Sequence, residues 1–269
     1  MIRTNLFQST DAHRITQTVG CFSVLEYDRD ISVTPENAAE AYYASHMNVK
    51  KRQVIAQLNG SGVVIQSGAM QMMIGQIKAA SNVRGAGDLM KKWVGSKVTG
   101  ETAIKPHYEG TGVLVLEPTY SYILFEDLND WNGKMVVEDG MFLACDDDVE
   151  LKVSARKTFS SAVLGKEGFF NTALKGTGVA VLESPVPAEE LIVVDLEKDE
   201  LRIDSDMAIA WSDSLDFTVE RTTRGLIGSA ASGEGLVNVY RGTGRVLIAP
   251  VAFNEDIEAE AEEVLPTEE

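Results

Sequence analysis

The side chains able to do chemistry are few and scattered. The three histidines, His13, His46 and His107, have no second His or Cys near them at metal-ligand spacing. The run Asp146-Asp147-Asp148 offers carboxylates that a hard cation such as calcium accepts, but it lacks the spacing of a binding loop, so a solvated turn is expected. Cys21 and Cys145, the only cysteines, lie too far apart in the chain to form a disulfide framework. A thiol nucleophile wants a basic neighbour; the three aspartates after Cys145 raise a thiol pKa instead. Neither Ser160-Ser161 nor the serines of residues 229–235 form a Gly-x-Ser-x-Gly elbow. Lys50-Lys51-Arg52, with Arg3 and Arg14, is the one basic concentration. It reads as a partner or lipid-headgroup contact, or more economically as strand-edge lysines that block edge pairing. No metal, cofactor or catalytic residue is expected, and the chain is not expected to be an enzyme.

The residues that organise the chain are glycines. Gly110-Thr111-Gly112 runs into Val113-Leu114-Val115-Leu116-Glu117-Pro118. The same phrase returns at Gly176-Thr177-Gly178 and again at Gly242-Thr243-Gly244, at a constant spacing of 66 residues. A fixed period marks one supersecondary unit used repeatedly. Each Gly-Thr-Gly is expected to be a structural turn, with Gly110, Gly112, Gly176, Gly178, Gly242 and Gly244 chosen because glycine tolerates positive φ. The near-continuous Val, Leu and Ile after each turn predicts a strand covered on both faces. The register extends outward: Met141 to Val153 aligns with Met207 to Val219, placing Cys145 opposite Trp211 and Asp147 opposite Asp213. Ser67-Gly68-Ala69-Met70 begins a weaker first copy, with an insertion near residues 82–88.

These signals divide the chain into an N-terminal extension (1–49), three β units (50–118, 119–185 and 186–251) and an acidic tail (252–269). In the extension, residues 21–27 read as a strand. Thr34-Pro35-Glu36 reads as a helix start, with Thr34 as N-cap and Ala38 to His46 as the body. Asn59-Gly60 reads as a hairpin turn, and the glycines of 85–87 as a hinge opening a short helix or an exposed loop. The charge of −17 disfavours phosphate-backbone binding. Neither a membrane span nor a signal-peptide core is visible, so a cytoplasmic location is expected.

At these motifs the chain resembles the mitochondrial-biogenesis (altered inheritance of mitochondria) family. The fit is best at residues 228–244, and Ser67-Gly68-Ala69-Met70, Glu138-Asp139-Gly140-Met141-Phe142-Leu143-Ala144 and Leu182-Glu183-Ser184-Pro185 fit as well. The resemblance implies a fold like that of the trp RNA-binding attenuation protein. That means a mainly β chain of three tandem β-sandwich units, double-stranded β-helix-like, with pseudo-threefold symmetry and one N-terminal helix. It carries no catalytic residues over. The expected function is a non-enzymatic scaffold or binding protein that partners itself or another protein, with a link to membrane or envelope organisation through peripheral contact. RNA binding, and a ligand-binding enzyme with a site between units, are the alternatives.

Overall fold

The computed structural model describes residues 3–80, 105–155, 170–204, 207–221 and 236–251. The expected insertion, the glycine hinge and its short helix, Ser160-Ser161, the 229–235 stretch and the acidic tail lie outside the described residues.

The N-terminal extension forms β1 (His13–Val19), β2 (Phe22–Tyr27) and α1 (Ala38–His46). The helix starts later than expected. Asn37 is its N-cap residue, while the Asn37 side chain turns back to accept from the Thr34 N–H at 2.8 Å, so Thr34 itself caps nothing. The next segment supplies β3 (Arg52–Ile65), β4 (Met70–Ala80) and β5 (His107–Leu116). The middle segment is broken into shorter pieces: β6 (Tyr122–Asp127), β7 (Lys134–Val137), β8 (Phe142–Asp146), β9 (Val149–Ala155), β10 (Phe170–Gly176) and β11 (Val179–Ser184). The last returns to long strands, with β12 (Ile192–Asp204), β13 (Ala208–Ser212), β14 (Asp216–Arg221) and β15 (Leu236–Ile248).

All pairings are antiparallel, in two curled sheets. The eight-stranded sheet follows β1-β2-β3-β8-β11-β6, with β5 also on β3 and β4 on β5. The seven-stranded sheet follows β12-β15-β13-β7-β10-β9, with β14 also on β15. The middle segment divides its strands between the two. It crosses between the sheets at 128–133, 138–141, 147–148 and 177–178, and the first and last crossings are tied together by Gly176 N–H to Gly133 O (3.0 Å) and Leu128 N–H to Gly178 O (3.0 Å). Gly178 sits at that bend, but Gly110-Thr111-Gly112 and Gly242-Thr243-Gly244 run inside β5 and β15 and turn nothing. There the missing side chains permit close approach: a Cβ at Gly110 would strike the Gln76 carbonyl of the paired strand. The first glycine of each phrase is at positive φ (135°, 139° and 125°). Asn59-Gly60 is likewise a bulge within a continuous β3 rather than a hairpin.

Two backbone features recur at matching places. A left-handed or positive-φ residue stands at Gly60, Asn132 and Lys198. A bulge sits opposite Leu116/Val115, Leu182/Val181 and Ile248/Leu247, leaving Gln71, Leu143 and Ile209 as the extra residues. Among the described residues the core follows the strands in three large clusters and a small one of Leu25, Ile55 and Val115. One gathers around Phe22, Leu58, Ile65 and Leu114, one around Trp131, Met135, Phe142 and Leu174, and one around Trp211, Tyr240 and Val246. The helix takes no part, since none of its residues is buried.

Candidate functional site

Among the described residues, two concave regions that carry polar side chains stand out. The first lies between α1 and the β1–β2 hairpin, a cleft of about 390 Å³ bordered by Tyr27, Asp30, Ala41, Ser45, Lys51 and Tyr120. The basic cluster converges on it but is not free. Lys50 reaches Glu26 (3.0 Å) and Asp28 (3.2 Å), Arg14 reaches Asp28 (2.6 Å), Lys51 reaches Asp30 (2.9 Å) and Arg52 reaches Glu26 (3.2 Å). The Arg52 side chain is only 5% exposed and lies over the Tyr122 ring, 4.1 Å from its centroid. Burial works against the charge of Lys50, yet its hydrogen bonds to Glu26 and Asp28 hold its pKa above the ordinary value. The strand-edge explanation fails for a plain reason. Arg52 opens β3, which has partners on both sides, and Lys50 and Lys51 precede it. These cations fasten the N-terminal hairpin to the body by neutralising its acids.

The second region is the seam where the middle segment meets the first. There β3 pairs with β8, with Val63 opposite Asp146, Val64 opposite Cys145 and Ile65 opposite Ala144. A groove of about 320 Å³ opens here between Ser61, Gly62, Asp146 to Asp148, Thr177 and Gly178. The aspartates are not merely solvated. Asp146 accepts from the Val179 N–H at 2.8 Å and faces the Cys21 thiol at 3.6 Å, and Asp147 meets His107 Nε2 at 3.2 Å. Gly62 makes room for that last pair, because a Cβ there would fall on both Asp147 Oδ2 and His107 Nε2.

The chemistry of this groove is limited. Burial first, then the Asp146 charge, pushes the Cys21 thiol up to about 12. Cys145 is fully buried, and burial raises its pKa as well. Both cysteines are therefore thiols at neutral pH rather than nucleophilic thiolates. His107 with Asp147 has the form of a base and its orienting carboxylate, and among the described residues no hydroxyl or thiol is hydrogen-bonded to the His107 ring. Among the described residues, no group of three or more His, Cys, Asp and Glu side chains could hold a metal ion.

Spacing alone could not have found either contact. His107 and Asp147 are 40 residues apart and Cys21 and Asp146 are 125 apart, brought together only by strand pairing. A faint signal was present in the alignment at 66 residues, where His107 and Cys145 face Ala173 and Trp211. Residues that differ between otherwise matching copies are where local chemistry concentrates.

A family model described as mitochondrial biogenesis AIM24 matches residues 45–251, from the end of the helix through β15. The chain belongs to the mitochondrial biogenesis AIM24 family. An uncharacterised protein of Streptococcus pyogenes serotype M6 is 27% identical over 197 residues, covering 71% of this chain and 77% of the relative. The crystal structure of a Streptococcus pyogenes protein matches with a TM-score of 0.59 at 22% identity, over 81% of this chain and 96% of that one, which shows a shared fold. The AIM24 match takes in the acidic groove and leaves out β1, β2 and most of α1. No helix among the described residues is long and apolar enough to cross a membrane.

Proposed function

We propose that this AIM24-family chain is a non-enzymatic scaffold of three β units in a pseudo-threefold arrangement, acting by association with itself and with other proteins. One observation carries the reading: apolar side chains stand exposed on strands and on the helix, while among the described residues neither polar region presents a poised reactive group. On the helix and just after it, Tyr42, Tyr43 and Met47 are 60%, 68% and 74% exposed. On β12 and β4, Ile192, Val193, Met72 and Met73 are exposed. Apolar residues gathered on open edges favour partner binding over solvent. The recurring bulges and left-handed residues support the three-unit reading.

RNA binding draws less support, because carboxylates already pair with the cations of the basic cluster, Arg14, Lys50, Lys51 and Arg52, which a phosphate backbone would need. The groove at the first seam, lined by Asp146, Asp147 and Asp148, favours a cationic ligand over an anion. A role at a membrane or envelope surface rests on family membership, and flotation with anionic vesicles would test it. Light scattering of the full chain across a wide concentration range tests the central reading. Multiples of the chain mass are expected; a strict monomer at the highest concentration would overturn it.

A further inference from the structure

The molecule contains two closed seams and both halves of a third. At the first seam Ile65 of β3 pairs with Ala144 of β8, and at the second Val137 of β7 pairs with Ala210 of β13. Ile65 and Val137 each stand five residues beyond a left-handed residue, Gly60 and Asn132. The third such residue is Lys198, and five residues beyond it is Ile203. On the other side, Ala144 and Ala210 each follow the recurring bulge and lie opposite Val181 and Leu247. The matching residue of the first segment, opposite Val115, is Met72.

Residues 201–203 and 72–74 are thus the unused halves of the same joint. Among the described residues, β12 pairs only with β15 and β4 only with β5, so both present an unpaired backbone edge. Burial agrees. Ile65, Val137, Ala144 and Ala210 are fully buried, whereas Met72 and Met73 are 37% and 42% exposed and Leu201 and Ile203 are half-buried.

We propose that a second copy of the chain completes this third seam, with residues 201–203 of one chain pairing antiparallel with residues 72–74 of the next. The inference rests on the self-association reading and gives it an address. The expected register sets Ile203 against Met72, Arg202 against Met73 and Leu201 against Ile74. The Asp204 N–H then donates to the Gln71 carbonyl, as the Gln66 N–H does to Leu143 (2.7 Å) and the Glu138 N–H to Ile209 (2.9 Å). Arg202 brings no unpaired charge to the joint, since Glu200 (2.6 Å) and Glu220 (3.4 Å) hold it within its own chain. The two edges differ, so the contact is head-to-tail and yields a ring where the rotation closes or a filament where it does not.

The test is a full-length Ile203→Cys, Met72→Cys variant carrying Cys21→Ser, oxidised mildly and run without reductant. Cross-strand partners have Cα atoms about 4.5–5.5 Å apart, within reach of a disulfide. A ladder of linked chains is expected, and either single cysteine alone should give no species beyond a dimer. In parallel, Met72→Lys with Met73→Lys, both at exposed positions, should lower the mass seen by light scattering while the chain keeps its fold by circular dichroism. Linkage within one chain, seen as a faster monomer band with no ladder, would show the seam closing on itself and overturn the proposal. A wild type that associates, yet gives no ladder and keeps its mass in the lysine variant, would overturn the address and leave self-association standing. A wild type that is monomeric throughout removes both.

Discussion

At the first seam Val64 faces Cys145; at the second, the same backbone position sets Val136 against Trp211. Just after Cys145, Asp146 faces the Cys21 thiol and Asp147 pairs with His107. Around Trp211 lie Phe217 and Tyr240, with ring centroids 5.4 Å away in each case. The joints share strand direction, register and a neighbouring bulge, yet one is lined by titratable groups and the other by aromatic rings. Backbone pairing holds a seam together whatever the side chains are, provided the buried positions stay apolar and the polar atoms find partners. The sequence is then free to vary what faces solvent. That freedom explains how this β fold can carry a chemically distinct groove at one of two joints of the same construction.

The largest expected effect sharpens this contrast. Trp211→Ala should cost about 3–5 kcal/mol in urea denaturation, because it empties the aromatic cluster. Cys145→Ala at the matching position should cost about 1 kcal/mol, the scale of one small buried group. Equal losses would mean that aromatic packing does not distinguish the second seam. A smaller effect separates the glycine phrases. Gly242→Ala should cost about 1–3 kcal/mol for its positive φ alone, since the nearest atom to a Cβ there is 3.7 Å away. Gly176→Ala should cost more, because its Cβ would also strike the Asp148 carbonyl where the middle segment changes sheets. Tm values that rank the two the other way would break the account of the crossing.

Smaller still is Asp147→Asn. It removes a partly exposed partner of His107 and should cost no more than about 1 kcal/mol, while Asp213→Asn at the matching exposed site should change nothing measurable. The last prediction depends on pH. Burial raises the Glu126 pKa, and its hydrogen bond from Trp131 Nε1 (3.0 Å) only partly offsets this. A carboxyl whose folded pKa is raised contributes its stability below the unfolded value of about 4.3 and loses it as pH climbs through the folded value. Glu126→Gln should therefore match the wild-type Tm in acid and exceed it at neutral pH. A Tm difference that stays constant across that range would show that burial does not control this group.

Much of the strand content was legible from the chain. The β-branched and apolar runs after each Gly-Thr-Gly lie in strands, and the helix body ends at His46 as expected. What misled was punctuation. Asn59-Gly60 and two of the three Gly-Thr-Gly phrases look like reversals, but serve as bulges and close approaches inside long strands. A glycine at positive φ bends or reverses a chain equally well, and the outcome depends on whether a neighbouring strand holds both flanks. β1 escaped notice for a related reason. His13–Val19 is largely polar and exposed, and it is a strand because β2 provides a template.

The constant spacing of 66 residues, the placement of β-forming runs and the helix body at Ala38–His46 were determined by the sequence itself, because periodicity and propensity concern residues that are neighbours along the chain. Only the tertiary structure decided which segment breaks to cross between sheets, that β3 meets β8 and β7 meets β13, and that His107 comes to lie beside Asp147. Pairing is a choice among distant partners made by burial and backbone hydrogen bonding together. No local pattern encodes that choice until the strands lie side by side.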